Sequence, residues 1–141
     1  MKDNSRFVLA VHTLTLLAEK QEPLSSAFIA QSAGVNPVTV RKLVGQLRAA
    51  GLVQTKAGAI GGTTLALDPA LITLKDTFLA VRDESIFGTF PDAPSPECSV
   101  GRNLRPTLVN ILADAMQSMI STLDGVTIAD VLSGVLHPSL G

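Results

Sequence analysis

Four cations stand close together in a stretch with no counter-charge. Arg41, Lys42, Arg48 and Lys56 fall between Pro23 and Leu67, where there is not one Asp or Glu. The segment therefore carries +4, and since the chain sums to −1 the remainder must carry −5. Cations gathered without acids suit a polyanion, because each phosphate they neutralise releases a condensed counterion. Two copies of the chain would present twice that charge.

Other reactive groups are sparse. The single cysteine, Cys98, cannot close an intrachain disulfide, and no set of His, Cys and carboxylates has the spacing of a zinc site. There is no glycine-rich phosphate loop after a strand and no nucleophile elbow. The expectation is a protein that is not an enzyme and carries no metal and no cofactor. Cys98 has two readings. In a mobile loop it would be a reactive thiolate open to oxidation. Alternatively it is a small apolar residue seating that loop on the next helix. No Lys, Arg or His lies within three residues and Glu97 is adjacent, which favours the packing role. His12 is expected to be a packed, hydrogen-bonded residue and not a ligand.

The cations need elements to position them. Residues 5–20 read as a helix capped by Ser5, apolar nearly all round and stopped by Glu22-Pro23. A short helix follows over 26–33, capped by Ser25 or Ser26, with Phe28, Ile29 and Ala33 as its apolar face and Gly34 closing it. Asn36-Pro37 then opens a helix over 37–49, the Asn as cap and the Pro as first helical residue. Val40, Leu43, Val44 and Leu47 make its buried stripe, while Val38, Thr39, Arg41, Lys42, Gly45, Gln46 and Arg48 lie off it. Gly51 ends it. Two short strands, 52–56 and 63–67, flank a loop containing Gly58, Gly61 and Gly62.

Thr73 caps a helix over 74–82, and residues 88–101 read as a loop holding Cys98. A long helix over about 103–123 carries the stripe Leu104, Leu108, Ile111, Leu112, Ala115, Met119 and Leu123, with Pro106 either kinking it or marking its first turn. Thr127 opens a last short helix ending near Gly134. The fold class is mainly α with a small β-hairpin wing: a winged helix-turn-helix plus a long C-terminal helix, which the family resemblance given below implies is a dimerisation helix. The expected layout is a DNA-binding domain over 1–83, a loop over 84–101, and helices over 102–141 packing on the same core, to which that resemblance gives the dimerisation role.

In this arrangement the 37–49 helix can enter a major groove, which is wide enough for one helix. Val38, Thr39, Arg41 and Lys42 are candidates for base edges, with Asn36, Pro37 and Gln46 beside them. Arg41 could grip guanine or phosphate; both stay open. Ser25 and Ser26, with the N–H groups of their helix, suit a phosphate. Gly58, Gly61 and Gly62 would let the hairpin approach the DNA backbone, and Lys56, Thr63 and Thr64 would supply donors. The alternative is an interaction-only winged helix docking an acidic protein. Such modules tend to carry acids on the third helix and wing, and none stands here.

Hydrophobic residues make up 46% of the chain and charged residues 16%, more apolar than one small monomer needs, which implies a buried partner surface. No apolar run approaches the ~20 residues that span a bilayer. The start, with Lys2, Asp3 and His12, reads as a mature helix and not a signal peptide, so a cytoplasmic protein is expected.

These residues resemble the BadM/Rrf-type (Rrf-two) family of bacterial winged-helix regulators, across essentially the whole chain. The resemblance rests on Ser5-Arg6-Phe7, Val35-Asn36-Pro37-Val38 with Val40-Arg41, Ala50-Gly51-Leu52-Val53, Gly61-Gly62, Ile72-Thr73-Leu74 and Pro96-Glu97-Cys98-Ser99-Val100-Gly101. It implies a transcriptional repressor, homodimeric through the long penultimate helix, on an imperfect palindrome of double-stranded DNA, with the wing at the minor groove. Several members of that family hold an iron–sulfur cluster with three cysteines in the loop before the long helix. Here that loop offers only Cys98, and His12 sits where some members place a fourth ligand. One Cys and one His cannot hold a cluster. The resemblance is therefore to the cluster-free branch, with redox chemistry at Cys98 or a small molecule as the alternative switch.

Overall fold

A computed structural model of the chain describes residues 5–82 and 86–139. The expected boundary at 83/84 and the charges at Lys2 and Asp3 lie outside the described residues. Six α-helices and one hairpin follow in the order α1 (Arg6–Lys20), α2 (Ser26–Ala33), α3 (Pro37–Ala49), β1 (Val53–Lys56), β2 (Gly62–Leu65), α4 (Leu74–Val81), α5 (Ser99–Asp124) and α6 (Ile128–Leu136). A 3-10 turn, Pro69–Leu71, precedes α4.

α1 is the central post. Its Leu9, Ala10, Leu14, Leu17 and Ala18 are buried, and α2, α3, α4 and α6 all pack on it. Apolar residues on most of its circumference are what that many neighbours require. Leu14 is fully buried, so its truncation to alanine would cost about 2–5 kcal/mol. Phe7 meets Phe78 of α4 edge-to-face at 5.9 Å, a geometry favoured by the ring quadrupoles. α1 closes at Gln21, which takes a left-handed φ of 55° and sends its N–H to the Leu17 carbonyl at 3.1 Å. Ile29, Val40, Leu43 and Leu47 bring α2 and α3 into the same core.

The hairpin is antiparallel, with Val53 opposite Leu65 and Lys56 opposite Gly62. The strands begin and end within two residues of the expected 52–56 and 63–67. Its root is fastened to the chain before α2: Leu24 N–H donates to the Thr63 carbonyl at 3.0 Å, and Thr63 N–H returns to the Leu24 carbonyl at 2.8 Å.

Two expectations need correction here. The long helix begins at Ser99 with Cys98 as its N-cap residue, a full turn earlier than expected, and runs through Pro106. The Ser-Val-Gly run that reads as breaker is its first turn. Pro106 sits inside the helix, so the Arg102 carbonyl loses its intrahelical N–H. Phe28, expected on the apolar face of α2, is exposed, and Ala30 is buried in its place. Ile128, fully buried with α1, joins α6 to the N-terminal body. Among the described residues no helix is long and apolar enough to cross a membrane.

Candidate nucleic-acid interface

The start of α3 is built from its own sequence. Asn36 holds an extended backbone and its side-chain oxygen accepts the Val38 N–H at 2.8 Å, while Pro37 occupies the first helical position. Gly34, left-handed at φ 72°, makes the turn from α2 possible. Ser25, and not Ser26, caps α2, its hydroxyl accepting the Phe28 N–H at 3.1 Å. Beyond this cap α3 turns Val40, Leu43, Val44 and Leu47 inward, which leaves Val38, Arg41 and Lys42 exposed and Thr39 half-buried. Gln46 is half-buried with its Oε1 enclosed and without a hydrogen-bond partner.

Arg41 and Arg48 project from α3 towards the hairpin. With Gly45, Thr55, Lys56, Gly62 and Ser26 they line a cleft of about 330 Å³ between helix and wing. Arg48 Nη1 donates to the Thr55 hydroxyl at 2.9 Å, tying the end of the helix to the first strand. None of Arg41, Lys42, Arg48 and Lys56 forms an ion pair with a described residue. Their charge is therefore available to an outside anion. Arg48 is expected only as part of the basic stretch and not as a contact residue, and neither Thr55 nor Gly45 is singled out by the sequence. The signal was present: positions 41, 45 and 48 are four and three apart, so they share one helix face.

Three hairpin expectations change. Thr63 is buried and its backbone groups are engaged by Leu24, so it roots the wing and does not offer its side chain as a donor outward. Gly61 and Gly62 were expected to let DNA come close. A Cβ at Gly61 would collide with the Lys56 carbonyl oxygen, and at Gly62, with φ 146°, it would stand 2.7 Å from the Leu24 carbonyl oxygen. The space both glycines leave is filled by the protein's own backbone. The wing tip instead presents Ile60, 87% exposed, which the sequence did not single out.

Cys98 is exposed at the start of α5, where a residue seating a loop on that helix would be covered. Its thiol forms no capping hydrogen bond. The N–H groups of Gly101 and then Val100, directed at it from the first turn of α5, nevertheless lower its pKa below the ordinary thiol value, against a small opposing effect of burial. A helix start supplies what nearby cations do not. His12 is half-buried on α1, its Nε2 2.9 Å from the Ser32 hydroxyl of α2. One thiol on α5 and one imidazole so engaged do not fit an iron–sulfur cluster, and no group of three or more His, Cys, Asp or Glu gathers among the described residues.

Known proteins are similar to this chain along most of its length. Residues 3–134 match the Rrf2 family, described as an iron-dependent transcriptional regulator. A candidate HTH-type transcriptional regulator of Bacillus subtilis, YwnA, is 32% identical over 130 residues, covering 92% of this chain and 96% of its own. The crystal structure of a protein described as a candidate DNA-binding protein superposes with a TM-score of 0.74 at 30% identity, covering 91% of this chain and 99% of its own. CymR, the global cysteine regulator of B. subtilis, superposes with a TM-score of 0.66 at 27% identity, covering 94% of this chain and 97% of its own. The exposed cations of α3 and the matching relatives agree: the chain is not an enzyme, and it belongs to the Rrf2 family of winged helix-turn-helix, DNA-binding transcriptional regulators.

Proposed function

We propose that the chain works as a homodimeric repressor that occupies an imperfect palindrome, one α3 in each of two successive major-groove segments. The observation that carries this reading is the exposed, unpaired row of Arg41 and Lys42 on α3 with Lys56 across the cleft, in a segment without a single acid. In this reading Val38, Thr39, Arg41 and Lys42 meet base edges, with Asn36 and Pro37 setting their height and Gln46 following along the groove. Ser25, Ser26 and Lys56 meet the backbone.

The dimer is supported by α5. It has 26 residues and not one is buried. A helix of about 39 Å with an apolar stripe has little reason to form alone in water. Of that stripe, Leu108, Leu112, Met119 and Leu123 are half-buried on the chain itself, while Leu104, Ile111 and Ala115 are exposed and await a partner helix. A second apolar surface, a groove of about 500 Å³ lined by Phe7, Val8, Val11 and Leu16 of α1 and Leu132 and Val135 of α6, is likewise uncovered. Two-fold symmetry of such a dimer would be matched by two-fold symmetry of the operator.

Selection of duplexes from a random pool tests this. Enrichment of a two-fold symmetric sequence with half-sites about one turn apart supports it. No affinity for any duplex, with capture of an acidic protein instead, would establish the interaction-only module. Placing the selected site over a promoter then distinguishes repression from activation. A second reading concerns the signal: Cys98, exposed and with its thiolate favoured by the start of α5, acts as an oxidation switch at the end of the dimer helix. Binding measured before and after peroxide, with Cys98→Ser as control, tests it.

A further inference from the structure

Most of the wing's glycines are explained inside the protein, but Gly45 is not. It lies in the interior of α3, where glycine is destabilising relative to alanine. Its φ is ordinary, and a Cβ placed on it would meet nothing within 4 Å. Neither backbone conformation nor packing within the chain calls for a glycine here. Gly45 instead forms part of the wall of the cleft between α3 and the hairpin, flanked on its own helix face by Arg41 and Arg48 and faced by Lys56.

We propose that this cleft is a seat for one phosphodiester of the bound duplex, with Arg48 as its principal ligand. The inference rests on the DNA-binding reading and assigns a separate task to the far half of α3. The first turns read base edges, while the last turn and the wing grip the backbone. Every ionisable group lining the cleft is a cation, and the other polar side chains there are hydroxyls of Ser26, Thr55 and Thr63, so an anion is the occupant that it suits. Arg48 is pre-positioned: one guanidinium nitrogen donates to Thr55 at 2.9 Å, and the remaining donors of its planar fork are left for phosphate oxygens. Thr55 is a positioning residue, acting through Arg48. Gly45 leaves room for the sugar-phosphate chain to come against the helix.

The test uses the full-length protein, a duplex selected from a random pool, and a mixed-sequence duplex of equal length, each titrated across a range of salt. Arg48→Ala is expected to weaken binding to both duplexes by the same factor, about tenfold or more, and to lower the salt slope by about one unit for each cleft engaged. Thr55→Val keeps the charge, so it weakens binding less and leaves the slope unchanged. Gly45→Leu is expected to weaken binding to both duplexes without lowering Tm; Gly45→Ala, with a single methyl, replaces it if the larger side chain disturbs the helix. Arg48→Ala with the wild-type slope, or with loss on the selected duplex only, overturns the proposal. So does a folded Gly45 variant that binds as wild type. A wild-type protein that binds neither duplex refutes the DNA-binding reading itself, which is a different outcome.

Discussion

Thr73 and Thr127, the N-caps of α4 and α6, face each other across an isolated antiparallel bridge. Each accepts the N–H of an aspartate three residues on, Asp76 at 3.0 Å and Asp130 at 3.1 Å, and each aspartate returns a carboxylate to the threonine N–H. Around them Leu74 N–H donates to the Val126 carbonyl and Ile128 N–H to the Ile72 carbonyl, both at 2.8 Å. Two helix starts are thus clamped into one unit, which carries the C-terminal end of α5 against the body. Thr73→Ala and Thr127→Ala should each cost about 1 kcal/mol, a fall in Tm of about 3–6 °C for a domain of this size. The double variant should depart from the sum, because the two caps share the bridge. Thermal melts followed by circular dichroism give all three values, and strict additivity would show that the bridge does not couple them.

The wing glycines predict a ranking. Gly62→Ala places a Cβ against the Leu24 carbonyl in a glycine-only conformation, and should cost about 2–3 kcal/mol. Gly58, at φ 109° but with open space around it, should cost less when changed to Ala. Urea unfolding midpoints compare them directly. Equal midpoints would mean that the close approach to Leu24 is relieved at little cost.

Arg41→Ala and Lys42→Ala should leave Tm within about 1 °C of wild type, because both side chains are exposed and unpaired. Each should weaken binding to a selected duplex about tenfold, and Arg41→Ala should also relax the base preference at one position of each half-site if it grips guanine. Affinity unchanged in both variants would move the recognition surface off α3.

Cys98 should alkylate as a thiolate at lower pH than an unfolded cysteine does. The sign follows from the lowered pKa: between the folded value and the ordinary value of about 8.5, the folded protein holds the larger thiolate fraction. Iodoacetamide rates measured against pH, for native protein and for protein in urea, should therefore show the native midpoint on the acid side. Coincident midpoints would remove the influence of Gly101 and Val100.

Ile111→Asp places a charge on the exposed half of the α5 stripe. If that half meets a second copy, the variant should sediment at the chain mass while the wild type sediments at twice it, because an unpaired carboxylate is costly to bury. Leu14→Ala, by contrast, should lower Tm without changing the mass, since Leu14 lies wholly within one chain.

The starts of four helices are legible in the sequence, whereas α5 begins a turn early and Ser5 makes no capping hydrogen bond at α1. Ser25, Asn36-Pro37, Thr73 and Thr127 open helices where capping chemistry says they should, because a side-chain oxygen satisfies an N–H only a few residues away. The exposed cations of α3 were legible for the same reason: a stripe with 3.6-residue period fixes which side faces the core. Tertiary structure decided the rest. Only the fold could show that Gly61 and Gly62 yield to Lys56 and Leu24, that Thr63 is a buried anchor, and that Arg48 reaches Thr55 seven residues on, around the turn into the wing. It also moved Cys98 from a loop to a helix start, which changed the chemistry of its thiol. Each of these depends on segments brought together by packing, and neighbours made that way leave no periodicity in the chain to read.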